Sequence, residues 1–196
     1  MSSKRSGERK RGLSRWERAG IPIIILILAW VIYSVAQPAV NQSQTTTTAV
    51  AVSGGSYAPD FKLPVVGSNG RTGESVALSS LRGKAVLLEF MEPWCPHCQS
   101  MVPVLERLHE GYPNVTVISV SGPWNGASEG DLARFQILYG SRWAYLYDSS
   151  GSIMNMYGVT VTPTFFIISK NGSVLASLQG DQTYGTLEQM ILQSLR

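Results

Sequence analysis

Trp94-Cys95-Pro96-His97-Cys98 holds the only two cysteines of the 196-residue chain. The run before it, Ala85 to Met91 (Ala-Val-Leu-Leu-Glu-Phe-Met), is apolar on both faces, as a central strand covered on both sides must be. After it, Met101, Val104, Leu105, Leu108 and Tyr112 recur at steps of three and four, the spacing of one helix face. Cys95 therefore falls where a strand ends and a helix begins, with Cys98 one turn further in. Free backbone N–H groups at a helix start favour a thiolate on Cys95, the candidate nucleophile. Cys98, more deeply set, is the candidate resolving thiol. Attack by one thiolate on a disulfide, followed by release through a second thiol, needs little more than this pair.

Two other uses of paired cysteines fit poorly. A structural zinc site takes four ligands, yet there is no second cysteine pair and the only histidines are His97 and His109. Covalent haem attachment requires Cys-x-x-Cys-His, and Gln99 stands where that histidine would be. Neither a metal nor an organic cofactor is implied.

Working outward, Val115 to Val120 is a second buried-strand pattern. Ser128 to Tyr139 opens with a Ser-x-x-Asp capping signal and carries Leu132, Phe135 and Tyr139 on one face. Trp143 to Tyr147, Thr164 to Ser169 and Val174 to Gln179 read as strands, the last two joined through the hairpin signal Asn171-Gly172. Leu187, Met190, Ile191 and Leu195 make a closing amphipathic helix. This order predicts an α/β fold with a mixed central sheet flanked by helices, over residues 57–196.

The net charge of +3 is segregated. Lys4, Arg5, Arg9, Lys10, Arg11, Arg15 and Arg18 face only Glu8 and Glu17, which leaves nine basic against eleven acidic residues in the remainder. The basic balance belongs to the tail, residues 1–20, and gives no reason to expect nucleic-acid binding. Ile21 to Val40 then carries no charge, and roughly 20 apolar residues span a bilayer core. That segment, 21–40, reads as a transmembrane anchor. The competing reading is a cleavable signal peptide, with Ser34-Val35-Ala36 as cleavage site. With the basic tail in the cytoplasm, the rest lies outside it, where disulfides persist. Residues 41–56, rich in Thr, Ser and Gly, form a linker.

The segment Val86 to Leu108 resembles the thioredoxin superfamily, in which a buried strand runs into Trp-Cys-x-x-Cys and a long helix. Pro103 stands where thioredoxins carry a helix-kinking proline. Val161-Thr162-Pro163-Thr164 is similar to that family's cis-proline segment, which would place the Thr162 backbone beside Cys95 to pair with an extended substrate peptide. An ordinary trans proline opening a strand is the alternative. Ala58-Pro59-Asp60-Phe61-Lys62-Leu63 and Leu78-Ser79-Ser80-Leu81-Arg82-Gly83-Lys84 look like the entry of TlpA-like membrane-anchored thioredoxins, an entry shared with peroxiredoxins. A peroxiredoxin site would need a threonine three residues before its cysteine, and Glu92 is there.

Glu89 interrupts the central strand six residues before Cys95, where thioredoxins place a buried acid. A desolvated carboxyl has a raised pKa and can exchange a proton near neutrality; pairing to a lysine or turning toward solvent is the alternative. His97, between the cysteines, can favour the Cys95 thiolate by charge and hydrogen bonding. Its Pro-His dipeptide resembles that of periplasmic disulfide oxidases, whereas TlpA-like proteins are mostly reductants. Trp94 and Trp124 are candidates for an apolar docking surface.

The expectation is thus a membrane-tethered extracytoplasmic thiol–disulfide oxidoreductase, with reduction slightly favoured over oxidation. Cys95, Cys98, Glu89 and His97 carry the chemistry, and Trp94, Thr162 and Pro163 bind substrate. Its partners would be protein thiols and disulfides outside the cytoplasm, a membrane redox partner and the lipid bilayer. A copper chaperone or redox-sensing binding module on the same fold is the alternative. Copper carriers of the Sco type use Cys-x-x-x-Cys plus a distal histidine, and no histidine follows His109.

Overall fold

A computed structural model of the chain describes residues 26–30 and 56–196. Residues 26–30 are helical and exposed. Among the described residues no helix is long and apolar enough to cross a membrane. The basic tail expected over 1–20, most of the anchor expected over 21–40 and nearly all of the 41–56 linker lie outside the described residues.

From residue 56 onward, the elements are β1 (Lys62–Gly67), β2 (Gly70–Ala77), β3 (Ala85–Phe90), α1 (Pro96–Gly111), β4 (Val115–Ser121), α2 (Glu129–Tyr139), β5 (Ala144–Tyr147), α3 (Ser152–Met156), β6 (Thr164–Ile168), β7 (Val174–Gln179) and α4 (Tyr184–Ser194). The strands form one mixed sheet in the order β2-β1-β5-β4-β3-β6-β7. β3 runs parallel to β4, with Glu89 opposite Ser119, and antiparallel to β6, with Phe90 opposite Thr164.

Every residue of β3 is buried because both faces of the sheet are covered. Alternation sends Leu87 to one face and Val86, Leu88 and Phe90 to the other. On the first face Leu87 and Met91 meet Met101 and Leu105 of α1, Leu132 and Phe135 of α2, and Leu187 and Ile191 of α4. On the second, Phe90 packs on Tyr157 and Phe166, with ring centroids 5.0 and 5.8 Å away, beside Phe61 and Met154. The two apolar layers hold the sheet rigid beneath the end of β3, from which the cysteine turn leaves.

Local signals set the element ends. Ser128 and Asp131 close a reciprocal capping box at the start of α2, and Gly140 ends that helix in the left-handed conformation (φ 64°). Three elements escape the sequence patterns. β1 and β2 form an antiparallel hairpin at the sheet edge. β2 is exposed along most of its length, so it lacks the apolar alternation that marks a half-buried strand. β1 carries Pro64 next to a register shift, and proline inside a sheet is tolerated at such irregularities. α3 is a single five-residue turn, too short to show a period.

Candidate functional site

The site is built where β3 hands over to α1. Met91 N–H still bonds to Val120 O of β4, after which the chain turns through Glu92-Pro93-Trp94 and is braced by Cys95 N–H on Glu92 O at 3.1 Å. Gln99 Nε2 donates to Pro93 O from the first turn of the helix. Cys95 is the N-cap, with an extended backbone (φ −70°, ψ 116°), and its Sγ accepts the Cys98 N–H at 3.3 Å. Pro96 follows at the first helical position, where no hydrogen-bonding N–H is lost. One sulfur thus caps a 16-residue helix, in the field of its N-terminus.

The two thiols differ in environment. Cys95 is half-buried, while Cys98 is 1% exposed. Burial, then the nearby Glu89 charge, push the Cys98 thiol well above its ordinary range. The Thr162–Pro163 peptide bond is cis. Thr162 O lies 3.5 Å from Cys95 Sγ, so that segment does sit against the half-buried sulfur. Pro163 O in turn accepts Gly180 N–H at 2.8 Å. Trp94 is 41% exposed at the mouth of the turn, above a small cleft lined with Gln99, Arg134, Leu138 and Tyr139.

Glu89 points into the first-face core at 2% exposure. Burial pushes its carboxyl up to about 7, partly offset by the Ser119 hydroxyl, which donates to Oε2. No lysine is involved: the partner is the residue opposite on β4, itself held by Trp143 Nε1 at 2.8 Å. His97 is placed differently from the other predicted residues. Its Nδ1 lies 2.8 Å from Asp181 Oδ2 in the loop after β7, and its ring makes no hydrogen bond to Cys95. Trp124 packs half-buried against the second-face core. His109 is half-buried beside Trp143, with ring centroids 6.4 Å apart.

Sequence reasoning passed over Glu92, Ser119, Trp143 and Asp181. Glu92 is 2% exposed, neither carboxylate oxygen has a partner, and burial pushes it up to about 8. Ser119 could have been found by aligning the two parallel strand patterns, since it stands directly opposite Glu89. Asp181 carries no local signal at all, being 84 residues from His97.

Comparison with known proteins gives this geometry its relatives. The AhpC/TSA family profile matches residues 55–177. Thiol-disulfide oxidoreductase ResA of Geobacillus thermodenitrificans is 31% identical over 169 residues, covering 85% of this chain and 89% of that one. Thioredoxin-like protein YneN of Bacillus subtilis is 29% identical over 182 residues, covering 91% and 98%. A Chlorobium tepidum protein described as thiol:disulfide interchange protein DsbE superposes with a TM-score of 0.64 at 32% identity, over 72% of this chain and 97% of that one. The chain belongs to the AhpC/TSA family, on its thioredoxin-fold branch of thiol–disulfide oxidoreductases.

Proposed function

We propose that this chain is a membrane-tethered, extracytoplasmic reductant of protein disulfides working through Cys95-Pro96-His97-Cys98. The observation that carries the reading is the asymmetry of the pair: a half-buried Cys95 sulfur capping α1 beside Thr162 O, and a buried Cys98 behind it. Cys95 as thiolate attacks one sulfur of a substrate disulfide; a mixed disulfide forms and the other substrate sulfur leaves as thiolate. Glu89 accepts the Cys98 proton, and Cys98 then attacks Cys95 Sγ. That closes the Cys95–Cys98 disulfide and releases the second substrate thiol. Two electrons and two protons pass to the substrate, and a dithiol donor in the membrane restores the pair. An extended substrate segment pairs with the Thr162–Pro163 backbone, against Trp94.

Support for reduction over oxidation comes from the sulfur's surroundings and from the resemblance to TlpA-like proteins. A strongly stabilised thiolate makes a disulfide oxidising. Cys95 Sγ receives one backbone N–H and, among the described residues, no side-chain donor. The address rests on the sequence: a basic segment over 1–20, an uncharged apolar one over 21–40, a linker over 41–56 and the catalytic domain over 57–196.

The test is a Cys98→Ser trap expressed with the complete chain. Mixed disulfides should accumulate on Cys95 in the membrane fraction, reach a membrane-impermeant thiol reagent after reduction, and vanish in the Cys95→Ser, Cys98→Ser double variant. Absence of trapped partners would sink exchange chemistry as the function. A potential close to that of strong oxidases, about −120 mV, would reverse the direction.

A further inference from the structure

Asp181 reaches the first turn of α1 twice. Its Oδ2 is 2.8 Å from His97 Nδ1, and its Oδ1 is 3.4 Å from the Ser100 hydroxyl. The backbone that carries it is fastened on either side. Gly180 N–H donates to Pro163 O at 2.8 Å, and Gln182 N–H points at Met101 Sδ at 3.3 Å. Gln182 is buried, with its side-chain amide turned back onto Gln179 O and Gly180 O. The carboxylate therefore projects from a loop pinned between the proline segment and the active-site helix. Both side chains of the pair are exposed, 67% for His97 and 50% for Asp181, so the contact adds little to stability. Its consequence is orientation.

An imidazole between the two cysteines of such a site has two uses for its ring N–H groups. Turned toward the sulfur, it donates to the thiolate, stabilises the reduced form and makes the disulfide an oxidant. Turned toward a carboxylate, it leaves the sulfur with backbone partners alone. Here Nδ1 faces Asp181, and the partners of Cys95 Sγ are Cys98 N–H and Thr162 O. The carboxylate itself lies by the first turn of α1, where its negative charge opposes a second one building up on the capping sulfur.

We infer that Asp181 is a positioning residue that holds the His97 imidazole away from Cys95 and so keeps the Cys95–Cys98 pair on the reducing side. This rests on the exchange reading proposed above. It also accounts for a Pro-His dipeptide of the oxidase kind in a chain that otherwise resembles the TlpA-like reductants.

The test is a glutathione redox titration of the wild type, Asp181→Ala, Asp181→Glu, His97→Gln and the Asp181→Ala, His97→Gln double variant. Releasing the imidazole in Asp181→Ala, which unlike asparagine leaves no side-chain acceptor, should shift the equilibrium toward the dithiol by roughly three- to tenfold, with tenfold corresponding to about 30 mV. The thermal midpoint should hardly move, which a merely structural role would not allow. Asp181→Glu should recover part of the wild-type potential. In the His97→Gln background the Asp181→Ala shift should shrink to the smaller part owed to the carboxylate charge. A shift that persists there at full size overturns the positioning role and leaves only the charge of Asp181. A wild type with a reversible disulfide, and an Asp181→Ala variant with the same potential, overturns the inference while leaving exchange chemistry standing. A wild type that forms no reversible disulfide overturns both.

Discussion

The Ser119 hydroxyl donates its one hydrogen to Glu89 Oε2 across the parallel pair β3–β4. The direction of that bond is fixed by a third residue. Trp143 Nε1 can only donate, and it occupies a lone pair on Ser119 Oγ at 2.8 Å. The hydroxyl proton is left to point at the carboxylate. This donor offsets part of the burial that pushes Glu89 up to about 7. Ser119→Ala should therefore move the Glu89 titration upward by about 1 to 2 pH units, the worth of a hydrogen bond to a charged group. Trp143→Phe should move it the same way by less, because the hydroxyl survives with freed orientation. Carboxyl titration followed by NMR or infrared difference spectroscopy reads both. An unchanged Glu89 titration in Ser119→Ala would contradict the assignment.

Glu89→Gln separates proton transfer from packing, since the amide keeps the shape and loses the titration. Closure of the Cys95–Cys98 disulfide from a mixed disulfide should slow by roughly a hundredfold near pH 7, the low end of the range for loss of general base assistance. Attack by Cys95, which does not pass through Glu89, should change far less. Stopped-flow measurement of the two phases with a disulfide peptide distinguishes them. Equal slowing of both would place the carboxylate's effect elsewhere.

What was legible in the sequence follows how each feature is encoded. Cys95, Cys98 and the buried run through Glu89 could be read because a strand buried on both faces and a capped helix impose local patterns. The Asn171-Gly172 turn and the Ser128–Asp131 box are equally local. The edge hairpin β1–β2 was hidden because an exposed strand owes its existence to pairing with β1, not to its own alternation. The Asp181–His97 contact was hidden for a stronger reason. It joins the active-site helix to a loop at the other side of the chain through two surface side chains, and no periodicity records such a meeting.

Gly172 is held at φ +83°, and a Cβ built there would lie 0.8 Å from Arg82 Nη1. Alanine at this position must therefore adopt a left-handed backbone and expel the guanidinium from its bond to Asn171 O and its place 5.5 Å over the Tyr57 ring. Gly172→Ala should destabilise the domain by about 1 to 2 kcal/mol from the backbone alone, lowering Tm by about 3 to 8 °C. Repeating the substitution in an Arg82→Ala background leaves only the backbone contribution. If alanine costs nothing in either background, the turn is not held in the left-handed conformation.

Glu92 sits in the turn between β3 and α1 with both carboxylate oxygens buried and unpartnered, and burial pushes it up to about 8 from an ordinary 4.5. The folded state therefore keeps this proton after the unfolded chain has lost it, so stability falls as pH rises from 4.5 and the penalty is complete above 8. Glu89 imposes a penalty of the same sign, but it is complete near pH 7. Between pH 7.5 and 8.5 the remaining decline belongs mainly to Glu92. Glu92→Gln cannot ionise and should abolish that late decline, becoming more stable than the wild type by about 1 to 3 kcal/mol at pH 8.5 and much closer to it at pH 5. Urea denaturation at pH 5, 7.5 and 8.5 measures the difference. A gap between variant and wild type that stays constant across the three would mean that the carboxyl finds water or a cation in solution and ionises without penalty.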